Sequence, residues 1–556
     1  MSISDFIGRS LGRLAGGAVR GYRHARMGIS ESGGGYAGGR PDRKNDPWVP
    51  SNAGPNLAAD LTLEQLRNRC RDLARNHAQL AGAVNSIVTS AIGASGIRVR
   101  PQTEWPELNA QIRGYMRDHF TRVDAGRRMT ERAFQCDLVT ELVVAGEQLT
   151  HFGFVPEWNG HAAGPCMEAI VAERIDIGLN QSSGENTIRQ GVEFDSLGRV
   201  VRYHVYKAHP NDGLFMLAMP IAGNRSIMEI SAFDCSMAML SRQAGQLRGV
   251  PLAAPVVHQL AFGKQVKEAA LMSALTQSCI GLIVKGLPEK LRKKIGETSG
   301  LYDTDGQPIR RLRPGQVMFT PHGVEAQFHS PNLPGPSFEA MTSVIDRESA
   351  AALGMDVAGY SKDFGKATFS AIRADQLQVH RFYRWLQQLV YEIQAEPWYH
   401  VKLAHGIATG GIVLNAEQAR AWDDIDERNR LLRAGGHFPG FGWVDPKQEA
   451  TAAETSIKAG IRSRPDIIAE QGDDPEETLR EQIAFEALEK QLREEAGLAT
   501  APVAPPASQE PDSDPDRDPD RETDDEEIDP GNAHAMIRRA KAGAAHSNGV
   551  AHHAPS

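Results

Sequence analysis

The sequence predicts an α+β protein with several domains. Three observations indicate this class: apolar residues at helical spacing between about residues 61 and 92, strand-like alternation between about residues 148 and 206, and a long amphipathic helix after residue 370. Hydrophobic residues make up 41% of the chain and charged residues 24%, which is typical of soluble globular proteins. A length of 556 residues allows about three or four domains.

Residues 1–58 are expected to form a flexible arm. Their Gly-rich, mildly basic composition (SGGGYAGG at residues 32–39) buries too little apolar surface to offset the entropy of ordering. A helix is then expected from Leu61, with Thr62 as its cap and Gln65 completing a weak capping box. Helical spacing continues to the glycines at positions 93 and 96, after which residues 97–100 alternate as a strand.

The next part of the chain is expected to form one α+β domain that covers residues 59–252. Helices are expected at about residues 109–123 and 131–144. Strand-like alternation follows, and Asp195-Ser196-Leu197-Gly198 is typical of a hairpin turn. The predicted strands cover residues 148–157, 167–174 and 191–206.

The second half of the chain predicts mainly helices. One is expected at about residues 254–284 and another at 337–353, with a strand candidate at 316–320 between them. The strongest helix is expected at about 370–395, and further helices follow residue 410. The apolar stripe of the strongest helix consists of Phe382, Trp385, Leu386, Leu389, Val390 and Ile393.

Acidic residues are concentrated near the end of the chain, so the net charge of −9 belongs mainly to that segment. Twelve acidic residues and two arginines lie between Glu510 and Asp529, so the rest of the chain is nearly neutral. Residues 497–556, which are Ala/Pro-rich and then acidic, are expected to be disordered. A nearly neutral body excludes a globally basic clamp, so any contact with DNA must rely on local features.

The cysteines and the apolar segments indicate a cytoplasmic site of synthesis. Cys70, Cys136, Cys166, Cys235 and Cys279 are widely spaced and include no C-x-x-C pair, so we expect reduced, mostly buried thiols. No uninterrupted run of 18 apolar residues is present, and the N-terminal stretch does not resemble a secretory signal. We therefore expect no association with a membrane.

Two motifs resemble phosphate-binding loops without fitting them. Gly33, Gly35 and Gly38 match G-x-G-x-x-G but lie in a Gly/Ser-rich stretch without a strand before or a helix after them. Residues 359–368 (GYSKDFGKAT) approach a P-loop, but five residues separate the glycines and Ala367 replaces the hydroxyl that would hold magnesium. A nucleotide-dependent DNA-processing enzyme that uses this degenerate loop is the alternative function. No catalytic residue, metal site or cofactor is predicted.

Several segments, each weak alone, occur in the order found in one family of viral proteins. They are residues 66–97 (LRNRCRDLARNHAQLAGAVNSIVTSAIGASGI), 173–176 (ERID), 191–210 (GVEFDSLGRVVRYHVYKAHP), 246–251 (QLRGVP), 312–315 (LRPG), 353–373 and 457–477 (IKAGIRSRPDIIAEQGDDPEE). Over roughly residues 45–490 the chain therefore resembles the lambda-type family of tailed-bacteriophage portal proteins. It departs from that family at residues 368–373 (TFSAIR), where a Tyr-Ser-Ser-x-Arg type of run is usual.

The resemblance implies a non-enzymatic subunit of a homo-oligomeric ring, commonly of twelve copies, at one vertex of the virion capsid. The subunits are made in the host cytoplasm. Such a ring is the channel for DNA packaging and ejection. It binds double-stranded DNA without sequence preference, contacts the major capsid protein, docks the terminase large subunit and joins head to tail through adaptor proteins.

The resemblance also implies a division of the chain into portal regions. The expected regions are an α/β wing at 59–252, stem helices at 253–285 and 336–355, a small β-containing clip at 286–335, a tunnel loop at 356–368, a long wing helix at 369–408 and a helical crown at 409–496, with disordered termini.

Roles for individual residues follow from the same resemblance. In the tunnel loop, Lys362 and Lys366 are expected to touch DNA phosphates, while Gly359 and Gly365 let the loop move as a valve. Glu339, Asp346 and Glu348 on the second stem helix are expected to face the lumen and repel the DNA, although a solvent-facing helix surface explains them equally well. The clip residues expected to dock the packaging motor are Lys290, Arg292, Lys293 and Lys294. A capsid or tail scaffold of another kind is the third interpretation.

Overall fold

A computed structural model of the protein describes residues 52–157, 162–210, 226–284, 316–319, 336–365, 368–442 and 446–496. The chain forms two compact units, Met1–Gln482 and Ile483–Ser556. Most of the predicted N-terminal arm and the whole acidic tail lie outside the described residues. Within the described part, no helix is both long and apolar enough to cross a membrane.

Two helices open the described chain, α1 (Pro55–Asn76) and α2 (Ala78–Ile92). The start predicted near Leu61 is wrong, because Pro55 has the fixed φ that suits a first helical position. Thr62 is not a cap: its hydroxyl donates to the carbonyl of Ala58 within α1, at 2.8 Å. The predicted end is confirmed, since Gly93 has a φ of +60° directly after α2.

The elements predicted at residues 97–123 and 131–144 are confirmed with small shifts. They are β1 (Arg98–Pro101), α3 (Pro106–His119) and α4 (Glu131–Val144). Thr130 caps α4, because its hydroxyl accepts a hydrogen bond from the amide of Ala133 at 3.2 Å.

Two antiparallel sheets follow, where strands were predicted between residues 148 and 206. Their strands are β2 (Glu147–Val155), β3 (Gly164–Val171), β4 (Gln181–Ser183), β5 (Asn186–Arg189), β6 (Val192–Phe194), β7 (Val200–Tyr206), β8 (Ile227–Ser231) and β9 (Cys235–Met239). One sheet has the order β3-β2-β9 and the other β4-β5-β6-β7-β8.

The predicted hairpin turn between β6 and β7 is confirmed. The Asp195 carboxylate accepts hydrogen bonds from the amides of Leu197 and Arg199, both at 2.9 Å. The strand predicted at 167–174 ends early, because Ala172–Arg174 forms a 3-10 turn. The strands β4, β5, β8 and β9 were not predicted, since each is too short to show sustained alternation.

The helix predicted at residues 254–284 is shorter than expected. It is α5 (Val257–Cys279), and the chain then continues as β10 (Ile280–Val284), which pairs in parallel with β11 (Gln316–Phe319). The helical prediction was wrong for residues 280–284 because this β-branched, apolar run favours a strand. The strand predicted at 316–320 and the helix predicted at 337–353, which is α6 (Pro336–Leu353), are confirmed.

The long helix predicted at residues 370–395 is confirmed, with one irregularity. It begins as α8 (Phe369–Val390) and continues through a π-helical turn (Tyr391–Ala395) into α9 (Glu396–Ala408). A short helix, α7 (Val357–Ser361), precedes α8. Trp385 does not lie in the buried stripe, because half of its surface (50%) is exposed. The π-helical turn contacts β9, where the Ser236 hydroxyl donates to the carbonyl of Ile393.

The helices predicted after residue 410 are confirmed, and residues 409–496 also contain one strand that was not predicted. Between α11 (Asn429–Leu432) and α12 (Pro446–Lys458) lies the strand β12 (Ala434–His437), which pairs antiparallel with β1. Gly435 and Gly436 disfavour a helix there, and a Cβ at Gly436 would lie 2.6 Å from the ring of Phe438. The remaining helices are α10 (Ala416–Asp423), α13 (Arg464–Glu470) and α14 (Pro475–Glu495).

The main core lies where α2, α4 and α8 pack together. Leu80, Ile87, Leu138, Leu386 and Val390 are buried in it. A second core joins α3 to α9, α10 and α11. Because α8 and β12 pack on elements from the first half of the chain, residues far apart in sequence form one folded body.

The described cysteines behave as predicted. Cys70, Cys136, Cys166 and Cys235 are free thiols. Burial raises the pKa of Cys70 and of Cys235 to about 12, so both thiols stay protonated and unreactive at neutral pH.

Candidate functional site

The segment between α6 and α8 carries the predicted tunnel-loop residues. It begins at Gly354, whose φ is +69° and where a Cβ would lie 2.8 Å from the ring of Phe382 on α8. Asp356 then caps α7, because its carboxylate accepts a hydrogen bond from the amide of Gly359 at 2.6 Å. At the far end, the Thr368 hydroxyl accepts from the amide of Ala371 at 3.3 Å and caps α8. Both ends of the segment are therefore held by helix caps.

The two glycines of this segment have different environments. Gly359 lies inside α7, and a Cβ there would overlap the carboxylate of Asp356. The missing side chain of Gly359 leaves room for a tight helix cap, and the freedom of the loop to move at this residue stays a prediction. Gly365 lies in an exposed turn, where its amide donates to the Asp363 carboxylate at 3.1 Å.

The described, exposed part of the segment carries one lysine, Lys362, beside one aspartate, Asp363. Lys362 is exposed and has a φ of +58°, so the chain turns sharply away from α7 at this residue. Phe364 beside it is also exposed. Lys366 lies outside the described residues. The preceding elements are the helices α6 and α7, whereas a phosphate-binding loop follows a strand. The described elements around this segment therefore do not match those around a phosphate-binding loop.

Two of the acids predicted to lie in the stem bind groups of their own chain. Asp346 accepts a hydrogen bond at 2.8 Å from the Gln79 amide group, whose oxygen accepts from Lys267 at 2.9 Å. Glu348 accepts from Gln259 at 2.5 Å. These contacts join α6 to α2 and α5, so Asp346 and Glu348 have a structural role whether or not they also face a lumen.

Glu339 and Asp346 line an open groove together with three further carboxylates. The groove has a volume of about 430 Å³ and lies between α6, α7 and the start of α8. We call it the carboxylate groove, and its acidic residues are Glu339, Asp346, Asp356, Asp363 and Asp375. The clip residues Lys290, Arg292, Lys293 and Lys294 lie outside the described residues.

A buried ion network, which the sequence did not reveal, is centred on Glu147 at the start of β2. Glu147 and Arg248 are fully buried and Arg67 is nearly so. The Glu147 carboxylate lies 2.5 Å from Arg248 and 2.9 Å from Arg67, and it accepts from the amide of Gly249 at 2.6 Å. Arg248 also donates to the carbonyls of Ala172 and Gln190, at 2.9 and 3.0 Å.

A second set of charges extends this network towards solvent. Arg71 on α1 lies 2.6 Å from Glu141 on α4 and 2.6 Å from Glu173. Together the two sets contain three arginines and three glutamates, so the network is neutral. Burial alone would raise the pKa of Glu147, but the charges of Arg248 and Arg67 outweigh burial and hold that pKa below its usual value.

The network joins three of the segments that carry the family resemblance and borders a fourth. Arg67 and Arg71 come from residues 66–97, Glu173 from 173–176, and Arg248 and Gly249 from 246–251. The fourth segment begins at Gly191, directly after the Gln190 carbonyl that Arg248 binds. One signal in the sequence could have located Glu147. It is a single charged residue at the start of an apolar strand, and it comes directly after an apolar helix and a glycine.

We predict that one carboxylate beside the network contributes to stability in a pH-dependent way. His151, at 3.5 Å, and Arg174, at 2.7 Å, lower the pKa of Glu168 to about 2. Because the pKa of Glu168 is lower in the folded chain, its ionised carboxylate stabilises the fold at pH values above 4.5. This stabilisation is lost as the pH falls towards about 2. The difference in unfolding free energy between wild type and Glu168→Gln should therefore shrink as the pH falls below about 4.5. A difference that stays unchanged down to about pH 2 would contradict this.

Comparison with known proteins shows the family. The model of the lambda family of phage portal proteins matches residues 41–387. The curated "Probable portal protein" of Halomonas phage phiHAP-1 is 24% identical over 470 residues, which cover 80% of this chain and 84% of the relative. Because the family model matches more than half of its length, the chain belongs to the lambda family of phage portal proteins.

Solved structures of gene transfer agent (GTA) particles are also similar. A chain from the virion of the native particle is 12% identical, with a TM-score of 0.35, covering 77% of this chain and 95% of that chain. A chain from the neck of the native particle, computed with C12 symmetry, is 11% identical with a TM-score of 0.36, covering 75% and 99%. A chain from the neck of the empty particle, computed with C6 symmetry, is 13% identical with a TM-score of 0.38, covering 77% and 95%.

Proposed function

We propose that copies of this chain form a closed ring at one vertex of the capsid, and that double-stranded DNA passes through the ring during packaging and ejection. Membership of the portal family supports the proposal. The observation that carries it is the exposure of apolar side chains on α5 and α6, which the folded subunit leaves in contact with water.

The exposed residues lie outside the face that each helix buries in its own subunit. On α5, Val257 and Leu260 are buried, whereas Phe262 is 61% and Leu271 64% exposed. On α6, Met341 and Val344 are exposed as well. A surface helix normally buries one apolar stripe, so apolar residues beyond that stripe indicate a further partner. In a ring, identical neighbours cover both sides of each subunit.

The ring assigns a place to each part of the chain. In this proposal, α5 and α6 form the stem, residues 286–335 the clip, residues 59–252 most of the wing, and residues 409–496 the crown. The wing would contact the major capsid protein. The clip, through Lys290, Arg292, Lys293 and Lys294, would dock first the terminase large subunit and later the head–tail adaptors.

The tunnel loop would touch DNA only through phosphates. DNA carries one negative charge per roughly 1.7 Å of its axis, and contacts to base edges would hold it at preferred sequences. Lys362 and Lys366 would supply positive charge to each loop, and Asp363 between them would weaken the attraction. A ring of such loops would hold the duplex centrally and still let it slide.

The first test is the assembly state. We expect the purified full-length chain to form closed rings, visible end-on by electron microscopy and of uniform mass by native mass spectrometry. The physical reason is the exposed apolar surface of α5 and α6, which a neighbouring copy would cover in a ring. A chain that stays monomeric at high concentration would contradict the proposal.

The second test removes the lysines that would bind phosphates. Lys362→Ala combined with Lys366→Ala should weaken binding of the ring to duplex DNA and make it less sensitive to salt. The slope of log affinity against log salt should fall by about 0.9 for each phosphate that the variant ring no longer neutralises. Lys458→Ala, which removes an exposed lysine on α12, is the matched control and should leave the slope unchanged. An unchanged slope in the double variant would count against a phosphate-binding loop.

The third test addresses catalysis. In this proposal ATP hydrolysis belongs to the packaging motor, so the ring should hydrolyse ATP no faster than a Lys366→Ala variant. Turnover that depends on Lys366 would instead favour the nucleotide-dependent enzyme.

A further inference from the structure

The N-terminal half of α8 has an exposed face that its own subunit covers only in part, since Leu377 and Arg384 also line a cavity beside α12 and α13. Leu377 is 59% and Trp385 50% exposed, and Arg381 and Arg384 lie on the same side of the helix. We call these four residues the arginine face. The opposite side of α8 is buried through Val379, Tyr383 and Leu386. Tryptophan and arginine are the residue types most enriched at the energetic centres of protein interfaces, so this face has the composition of a docking surface.

One arginine of this face is already oriented. The guanidinium carbon of Arg384 lies 6.0 Å from the centre of the Phe441 ring, which also stacks on His380 at 4.1 Å. An aromatic neighbour restricts the arginine side chain and so lowers the entropy that is given up when a carboxylate binds it.

The carboxylate groove lies on a different side of the same helix. Asp375, Ala371 and Ile372 line the groove, whereas Leu377 and Arg381 belong to the arginine face. With 3.6 residues per turn, Asp375 and Leu377 point in directions about 160° apart. None of the described residues that line the groove is basic. One subunit thus presents a positive, partly apolar face on one side and an acidic groove on another.

We propose that the arginine face of one copy docks into the carboxylate groove of the next copy around the ring. Two different, complementary surfaces on one molecule form a head-to-tail contact, which closes into a ring when the rotation between neighbours permits. Charge complementarity selects the second copy as the occupant, because Arg381 and Arg384 would meet Glu339 and Asp375. The inference rests on the proposed ring and assigns Glu339 to a subunit contact, not to the lumen.

A charge-swap experiment tests the inference with full-length protein. The face variant carries Arg381→Glu and Arg384→Glu, and the groove variant carries Glu339→Lys and Asp375→Lys. Each variant alone places like charges across every contact, so the concentration needed for half-assembly should rise by roughly tenfold or more. In an equimolar mixture every contact between unlike variants regains opposite charges, so alternating rings should form.

The mixture also controls for misfolding, because chains that assemble together must be folded. Arg117→Glu combined with Arg420→Glu, which changes the same charge on exposed arginines of α3 and α10, should assemble as wild type does. Native mass spectrometry of the mixture should show equal numbers of the two variants in each ring.

Several outcomes would overturn the inference. If wild type forms rings and both variants assemble equally well, the two faces do not meet, and the proposed function stands without this contact. Failure of the mixture to recover assembly would overturn it as well. If wild type itself forms no ring, the proposed function fails first.

Discussion

Replacing Glu147 by alanine is expected to lower the free energy of unfolding by about 3–5 kcal/mol. The substitution leaves the buried guanidinium groups of Arg67 and Arg248 without their shared counter-charge. It also leaves the buried amide of Gly249 without its acceptor. A buried charge without its partner keeps the full cost of leaving water, which is why this substitution should exceed the removal of an ordinary ion pair. The shift in the denaturant midpoint, with an unchanged slope, gives the magnitude.

The matched control is Glu229→Ala on the neighbouring sheet. Glu229 lies 2.9 Å from Arg202, but both side chains are about half exposed, so its removal should cost less than about 1 kcal/mol. Glu147→Gln keeps an acceptor for Gly249 while it removes the charge, and should fall between the two. If Glu147→Ala costs no more than Glu229→Ala, the network does not hold these segments together.

Elements with a strong local pattern could be predicted from the sequence. The helix α4 and the long helix α8 could be located because their apolar spacing extends over three or more turns. The turn at Asp195–Gly198 could be located because its residue types favour a turn and strand-like runs lie on both sides of it. The predictions failed where a local sequence pattern allowed more than one reading. Thr62 matched a cap pattern inside a helix that Pro55 had already started, and residues 280–284 continued an apolar run past the end of α5.

The network could not be predicted, because its contacts join residues far apart in sequence. Arg67 and Gly249 lie 182 positions apart, and Arg248 and Glu147 lie 101 apart. No local pattern encodes such pairs. The family resemblance marked Arg67, Glu173 and Arg248 without indicating why they recur together. In the predicted tunnel loop, by contrast, Asp356 is a residue type that commonly caps helices, a local signal that the sequence offers.

Replacing Gly249 by alanine is the second substitution with a large expected effect. A Cβ at position 249 would overlap the carbonyl oxygen of Gly146 and lie 2.8 Å from the Cβ of Glu147. Gly146 cannot move away easily, because its φ is +85° and its carbonyl accepts from the amide of Leu240 at 2.9 Å. The added methyl group must therefore push residue 249 away from Glu147, which breaks the hydrogen bond between them. We expect the free energy of unfolding to fall by about 3 kcal/mol.

Gly82→Ala provides a control with the opposite sign. Gly82 is exposed within α2, and a Cβ there meets nothing within 4 Å, so alanine should stabilise the helix by roughly 0.5–1 kcal/mol. Comparing Gly249→Ala with Gly82→Ala separates the cost of steric overlap from the general effect of replacing glycine on the unfolded chain. If Gly249→Ala were as neutral as a surface substitution, the backbones of Gly146 and Gly249 would have to lie farther apart than the structure places them.

Combining Gly249→Ala with Glu147→Ala tests the link between the two predictions. Because both changes disrupt the same hydrogen bond, their joint cost should fall short of the sum of the single costs.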